Sequence, residues 1–246
     1  MGSLSLDGKR VLITGAGGGV GREVAQRMAE AGAKMVLTDR NLDTLNTLNS
    51  LIGGENGALA VAADLGSAQG VDRVFAEVDA RLGGLDILVA CAGIGSEPLM
   101  AFNDESWRDV ITSNLVSYVA CARRAIDRIR LGPRGEGSII LLGSISVHIK
   151  AVGESVYNAA KGGVASFAET LRKEMIPDSI RVTLIEPGAI GSAMQPFDTK
   201  ERARLIAAEE LLPPAEVAEA VMFAATRPVG VDCVTLRIEP MVQKIY

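Results

Sequence analysis

Residues 10–21 of this chain read RVLITGAGGGVG, and this stretch sets the architecture. Its first part, Arg10–Thr14, is an apolar run of strand length, and helical periodicity follows over Val20–Ala31. Glycine lets a backbone approach a ligand closely, and the free N–H groups of a helix N-terminus attract phosphate. The turn is therefore a candidate phosphate site, comprising Gly15, Gly17, Gly18, Gly19, Val20 and Gly21. A glycine-rich loop without a ligand is the alternative.

Six further apolar runs of strand length follow along the chain: Met35–Thr38, Ala58–Ala63, Ile87–Cys91, Ser138–Leu142, Val182–Ile185 and Val234–Ile238. They are almost continuously hydrophobic, which is typical of parallel strands buried on both faces. Helical periodicity lies between them, as in Val71–Leu82 and Val156–Met175. This alternation predicts one α/β domain over residues 1–246: a doubly wound parallel sheet of about seven strands with helices on both faces. Gly132–Gly137 and Gly188–Pro214 are predicted loops.

Composition excludes several classes of function. The chain has 246 residues and a net charge of −5, so it lacks the basic balance expected of a nucleic-acid binder. It contains no apolar run long enough to span a membrane, and its N-terminus does not follow the pattern of a signal peptide. Three scattered cysteines and one histidine argue against a metal site. We expect a soluble cytoplasmic protein.

Tyr157 and Lys161 form a YxxxK pattern within a predicted helix. Residues four apart share one helix face, so the lysine charge is expected to lie near the tyrosine hydroxyl and to lower its pKa from about 10. A phenol tuned in this way can exchange a proton with an alcohol or a carbonyl. A surface tyrosine and lysine on an amphipathic helix are the alternative.

The glycine spacing TGxxxGxG at residues 14–21, combined with this YxxxK, resembles the short-chain dehydrogenase/reductase family. The resemblance implies a Rossmann-type fold and hydride transfer with a nicotinamide dinucleotide. It assigns Tyr157 as the acid/base and Lys161 as the group that holds the nicotinamide ribose. It further implies that Ser144 positions the substrate oxygen and that Asn114, predicted to begin a long helix, completes a proton relay through water. Local roles, a turn serine and a helix-capping asparagine, are the alternatives.

Asp39 ends the second predicted strand and favours NAD over NADP, because a carboxylate there binds a ribose and repels a 2′-phosphate. Arg40 is a counter-signal, since a guanidinium can bind that phosphate, and helix capping is the alternative role for Asp39. The resemblance assigns further cofactor contacts to Asp64, Leu65, Ala92, Gly93, Pro187, Gly188, Ile190 and Ser192. The sequence ACAG at residues 90–93 departs from the usual NNAG, so any bracing by those asparagines must come from elsewhere.

The substrate pocket is predicted to include Gly95, Ser146, His148 and Glu154, with a modest lid over Ala189–Leu212. His148 is read as a structural or substrate-contacting residue, because Tyr157 already fills the acid/base role. Glu97 adds negative charge near Gly95, which favours a neutral or cationic alcohol over an anion.

These observations predict an NAD-dependent enzyme that interconverts a secondary alcohol and a ketone. An NADPH-dependent reductase of 3-oxoacyl groups or other ketones is one alternative, and a dinucleotide-sensing protein without catalysis is another. The resemblance also implies a homotetramer, whose contacts would lie on the helices that follow Asn114 and Tyr157.

Overall fold

The computed structural model describes residues 5–53, 58–103, 105–134 and 136–242. Seven parallel strands form one sheet in the order β3-β2-β1-β4-β5-β6-β7, which confirms the predicted α/β fold. The strands are β1 Arg10–Thr14, β2 Lys34–Asp39, β3 Ala58–Ala62, β4 Ile87–Ala90, β5 Ser138–Leu142, β6 Arg181–Pro187 and β7 Thr235–Ile238. Within the described chain, no helix combines the length and apolar character that a membrane span requires.

Helices cover both faces of the sheet. They are α1 Gly19–Glu30, α2 Leu42–Leu51, α3 Ala68–Leu82, α4 Ser106–Ile111, α5 Ser117–Ile129, α6 Ser146–Ile149, α7 Ser155–Glu174, α8 Thr199–Ala207 and α9 Pro214–Ala225. Leu12 and its neighbours on one face pack against α3, α5 and α7, whereas Val11 and Ile13 pack on the other face against α1, α2 and α9. Successive side chains of a strand point to opposite faces of the sheet, so they pack into two separate hydrophobic cores.

The chain order reverses at β1, which pairs with β2 on one side and with β4 on the other. In doubly wound sheets the loops that leave the strands at such a reversal diverge and open a crevice at the carboxyl ends. The glycine turn after β1 and the segment after β4 therefore meet at the place where this fold binds ligands.

Asn114 does not begin a helix, contrary to the prediction. It lies in a π-helical turn, Thr112–Val116, that joins α4 to α5 without interruption. Such turns place an extra residue in the helix and occur often at functional sites. Asn114 is fully buried there, so the helix-capping alternative does not describe its position.

The predicted loop Gly188–Pro214 is wrong in part, because it contains α8. Asp198 caps this helix by accepting a hydrogen bond from the Glu201 N–H, and Leu205 is its buried residue. A helix with so little buried surface carries a weak apolar period, which explains why the pattern did not reveal it. By contrast, the described residues within Gly132–Gly137 contain no helix or strand, as predicted.

Candidate active site

The glycine turn after β1 is built so tightly that side chains do not fit. Gly15 has a φ of +65°, and a Cβ atom there would lie 2.6 Å from the backbone nitrogen of Ala92. A Cβ atom on Gly21 would lie 2.2 Å from the Gly15 carbonyl oxygen. Gly18 precedes α1, and no side chain of the described residues caps this helix. The positive end of the α1 dipole therefore faces the crevice, where it favours an anion such as a phosphate.

Asp39 is tied to the same turn. Its carboxylate accepts hydrogen bonds from the Gly17 N–H at 3.1 Å and from the Asn41 N–H at 3.2 Å. Asn41 caps α2 by accepting from the N–H groups of Asp43 and Thr44, so the capping role considered for Asp39 belongs to Asn41. Arg40 is exposed.

The side chains of Asp64 and Leu65 point in different directions. Asp64 is exposed at the end of β3 and accepts a hydrogen bond from the Gly66 N–H at 3.0 Å. Leu65 is buried in the core beneath α3, so only its backbone faces the loop region. Of the two, Asp64 offers a carboxylate to a ligand.

Residues after β4 and β6 close the crevice. The Ala92 N–H donates to the Thr14 hydroxyl at 3.3 Å, which fixes the segment after β4 against β1. Pro187 and Gly188 are buried at the end of β6. Farther on, Ile190 forms a bridge with Leu212, and a Cβ atom on Gly19 would lie 3.2 Å from that of Ser192. The segment after β6 therefore reaches the glycine turn.

Tyr157 and Ser144 meet at the carboxyl end of β5. The hydrogen bond between their hydroxyls lowers the pKa of Tyr157, but burial outweighs it and raises that pKa to about 12. Ser144 also accepts a hydrogen bond from the Ser146 N–H at 3.1 Å, which orients it. The predicted lowering of the Tyr157 pKa by Lys161 is not seen, because the contact that lowers it comes from Ser144.

Lys161 is buried behind Tyr157. Its Nζ donates to the Leu142 carbonyl at 2.8 Å and to the Tyr118 hydroxyl at 3.2 Å, and it lies 5.9 Å from the centre of the Tyr157 ring. Burial lowers the pKa of Lys161 to about 7. Sequence reasoning missed Tyr118, although its position four residues after Asn114 places both on one helix face.

Asn114 presents an unpaired acceptor to this group. Its Nδ2 donates to the carbonyl oxygens of Val110 and Ile94, each at 2.9 Å. Its Oδ1 is buried and has no hydrogen-bond partner among the described residues. A Cβ atom on Gly93 would lie 2.5 Å from this oxygen and 3.9 Å from Lys161 Nζ, so the glycine leaves the space between them open. A hydroxyl or a water molecule there would satisfy the buried oxygen.

The four predicted substrate residues have different surroundings. Glu154 interacts electrostatically with Tyr157, and burial raises the pKa of this carboxyl group. Gly95 is exposed, and a Cβ atom there would lie 3.6 Å from the Met194 side chain. Ser146 is buried, and its hydroxyl has no partner within the described structure. His148 instead lies 3.1 Å from both carboxylate oxygens of Glu186.

Comparison with known proteins agrees with this geometry. The family profile described as short chain dehydrogenase matches residues 9–203. An uncharacterized oxidoreductase from Staphylococcus aureus is 30% identical over 96% of this chain and 99% of its own length. The 3-oxoacyl-[acyl-carrier-protein] reductase of Vibrio cholerae is 31% identical over 91% of this chain and 92% of its own.

Solved structures of similar proteins share the fold along almost the whole chain. The 3-ketoacyl-(acyl-carrier-protein) reductase of Brucella melitensis, complexed with NADH, superposes with a TM-score of 0.86 at 31% identity, covering 96% of this chain and 99% of that one. A dehydrogenase/reductase from Sinorhizobium meliloti gives a TM-score of 0.85 at 30% identity, covering 97% and 96%. The chain therefore belongs to the short-chain dehydrogenase family of oxidoreductases, which use nicotinamide dinucleotides.

Proposed function

We propose that this protein is an NAD-dependent dehydrogenase that interconverts a secondary alcohol and a ketone. The observation that carries the proposal is the Tyr157–Ser144 hydroxyl pair, which lies beside buried Lys161 at the end of the crevice. NAD supplies the hydride acceptor for oxidation, and NADH supplies the donor for reduction. A panel of secondary alcohols with NAD, followed by NADH absorbance, tests the function; no turnover of any alcohol or ketone would contradict it.

The crevice provides groups that suit each part of a dinucleotide. The α1 N-terminus and the glycine turn suit the pyrophosphate, Asp39 the adenosine ribose and Asp64 the adenine. The unpaired Asn114 oxygen and the open space at Gly93 suit hydroxyl groups near Lys161. We assign cofactor contacts to Gly15, Gly17, Gly18, Gly19, Val20, Gly21, Asp39, Arg40, Asp64, Leu65, Ala92, Gly93, Tyr157, Lys161, Pro187, Gly188, Ile190 and Ser192.

The proton path follows from the hydrogen bonds of the site. In reduction the Tyr157 hydroxyl gives its proton to the carbonyl oxygen and becomes a phenolate, and in oxidation the phenolate form takes the hydroxyl proton of the alcohol and becomes a phenol. Ser144 donates a hydrogen bond to the same substrate oxygen and so holds it in place. In the structure the Ser144 hydroxyl is the contact that lowers the pKa of Tyr157, and we assign to the nearby Lys161 ammonium the role of stabilising the phenolate during the reaction. Asn114 Oδ1 accepts from a water molecule that links Lys161 to solvent.

The cofactor preference is the first testable consequence. Asp39→Asn should strengthen NADPH binding, because it removes a carboxylate that repels the 2′-phosphate. We expect an effect of about tenfold, which corresponds to about 1.4 kcal/mol. NADH binding should weaken. Titration of nicotinamide fluorescence measures both dissociation constants.

Asp43→Asn is the matched control, because this substitution removes the same charge from an exposed position in the first turn of α2. It should leave the ratio of the two affinities unchanged. If the native chain binds NADPH more tightly than NADH, Arg40 dominates Asp39 and the proposed preference is wrong.

A second candidate function is an NADPH-dependent reductase of 3-oxoacyl groups or other ketones. The similarity to the Vibrio cholerae 3-oxoacyl-[acyl-carrier-protein] reductase favours it. Faster turnover of 3-oxoacyl thioesters with NADPH than of any secondary alcohol with NAD would select this candidate. The negative charge of Glu154 near Tyr157 instead favours a neutral or cationic substrate.

We further propose a homotetramer with contacts through α5 and α7. Val116, the last residue of the π-helical turn, and Val119, in the first turn of α5, are 44% and 40% exposed, which leaves apolar surface for a partner to cover. Light scattering coupled to size exclusion should give four times the chain mass of 25.7 kDa. A mass of one chain at micromolar concentration would contradict this assembly.

A further inference from the structure

A second phenol, Tyr118, lies beside Lys161 in the core. Tyr118 belongs to α5 and is 1% exposed, so it reaches Lys161 from a different element than Tyr157 does. Its hydroxyl oxygen accepts a hydrogen bond from Lys161 Nζ at 3.2 Å, and the same nitrogen lies 4.7 Å from the centre of its ring. Both the oxygen and the π face of Tyr118 therefore contact the cation.

The donors of Lys161 explain why this contact matters. An ammonium group has three N–H donors. The Leu142 carbonyl and the Tyr118 hydroxyl accept two of them, which fixes the direction in which the third can point. The unpaired oxygen of Asn114 lies on the open side of Lys161 Nζ, across the space at Gly93.

Among the residues that the structure describes, the neighbours of Lys161 offer it no negative charge near pH 7. The titratable groups that face it are the Cys91 thiol, which follows β4, the Tyr118 hydroxyl from α5 and the Tyr157 hydroxyl from α7. Burial raises the pKa of Cys91 to about 12 and that of Tyr118 well above its usual value. Both groups are therefore neutral near pH 7, and the charge on Lys161 depends on hydrogen bonds to neutral acceptors.

We propose that Tyr118 is a positioning residue that holds the Lys161 ammonium charged and directed toward Tyr157 and Asn114. A hydrogen bond from an ammonium to a phenol oxygen is charge-assisted and stronger than one between neutral groups, so it favours the charged form. Tyr118 thereby supplies bracing next to Cys91, where asparagine side chains are absent from the ACAG segment. The consequence for turnover rests on the proposed function, whereas the consequence for the charge of Lys161 does not.

The direct test is the titration of Lys161 in Tyr118→Phe. This variant keeps the ring and removes the hydroxyl. In protein labelled with [ε-¹³C]lysine, the Lys161 resonance, assigned by its loss in Lys161→Met, should titrate about one pH unit lower than in the native chain, since a hydrogen bond to a charged group has that order of effect. An unchanged midpoint would overturn the proposal.

Ser117→Ala is the matched control. It removes a buried hydroxyl from the adjacent residue of α5, one that donates to the Ser113 carbonyl at 2.8 Å instead of contacting Lys161. The midpoint of the Lys161 titration in Ser117→Ala should equal that in the native chain. An equal shift in Ser117→Ala and Tyr118→Phe would overturn the proposal. Tyr118→Leu, which also lacks the hydroxyl, should lower the midpoint at least as far and replaces Tyr118→Phe if that variant does not fold.

The second readout is the pH profile of kcat. If Lys161 must be charged, activity is lost as pH rises through its pKa. The alkaline limb of the kcat profile in Tyr118→Phe should therefore shift to lower pH by the same amount as the midpoint of the Lys161 titration. A loss of kcat that is equal at every pH would mean a structural role and would overturn the proposal. If the titration shifts but no substrate turns over in the native chain, the proposed function fails and the role of Tyr118 stands.

Discussion

Tyr157→Phe is expected to reduce kcat by about 10³-fold, within the range that a general acid/base contributes. The ring remains in place, so the loss isolates the hydroxyl that bonds to Ser144 and that we propose as the proton donor and acceptor. The dissociation constant for NADH should change by less than about threefold, because the groups that we propose for the pyrophosphate and the adenosine ribose, the α1 N-terminus and Asp39, lie away from this hydroxyl. Steady-state kinetics and fluorescence titration provide the two measurements.

Ser155→Ala serves as the control for this variant. Ser155 is exposed in the first turn of α7, two residues before Tyr157, and its replacement should leave kcat unchanged. Turnover by Tyr157→Phe at the native rate would exclude Tyr157 as the acid/base. A loss of both turnover and NADH binding would instead indicate that the ring position itself has changed.

Gly15→Ala is expected to destabilise the fold by about 3 kcal/mol or more and to abolish dinucleotide binding. Two costs add: an L side chain is strained at a φ of +65°, and its Cβ atom would lie 2.6 Å from the backbone nitrogen and 2.7 Å from the Cα of Ala92. Relief requires the segment after β4 to move away from β1, which opens the crevice. Urea unfolding measures the free energy, and fluorescence titration measures NADH binding.

Gly83→Ala separates the two costs. Gly83 ends α3 with a φ of +66°, yet a Cβ atom there would have no atom of the described structure within 4 Å. This variant carries the same backbone strain without the clash, so it should lose about 1 kcal/mol and retain NADH binding. Equal losses of stability in the two variants would show that the contact with Ala92 carries no cost.

The fold was predictable because its signals are local. Seven apolar runs, the glycine turn and the helical periods between them each occupy a short stretch, and they combine in only a few topologies. The Tyr157–Lys161 spacing is likewise local, since four residues make one helix turn. The exposed helix α8 was missed because it buries one residue and thus lacks a strong apolar period.

The site was predictable only where its contacts are close in sequence or carried by the family resemblance. The Lys161–Tyr118 hydrogen bond joins residues 43 positions apart, and the contact of His148 with Glu186 spans 38. Such pairs are set by the order of strands and the packing of helices, which no local spacing encodes. The pKa values of Tyr157 and Lys161 also depend on burial, so their opposite shifts follow from the folded core alone.

The π-helical turn at Thr112–Val116 makes helix length a requirement of the site. An α-helix advances about 100° per residue, so deleting one residue from the turn would rotate α4 by that angle relative to α5. Either Asn114 would leave the interior or the buried face of α5, which includes Tyr118 and Cys121, would turn outward. The number of residues in this turn therefore sets the relative orientation of α4 and α5: deleting one residue other than Asn114 would remove neither Asn114 nor Tyr118, yet the two side chains would no longer face the same point.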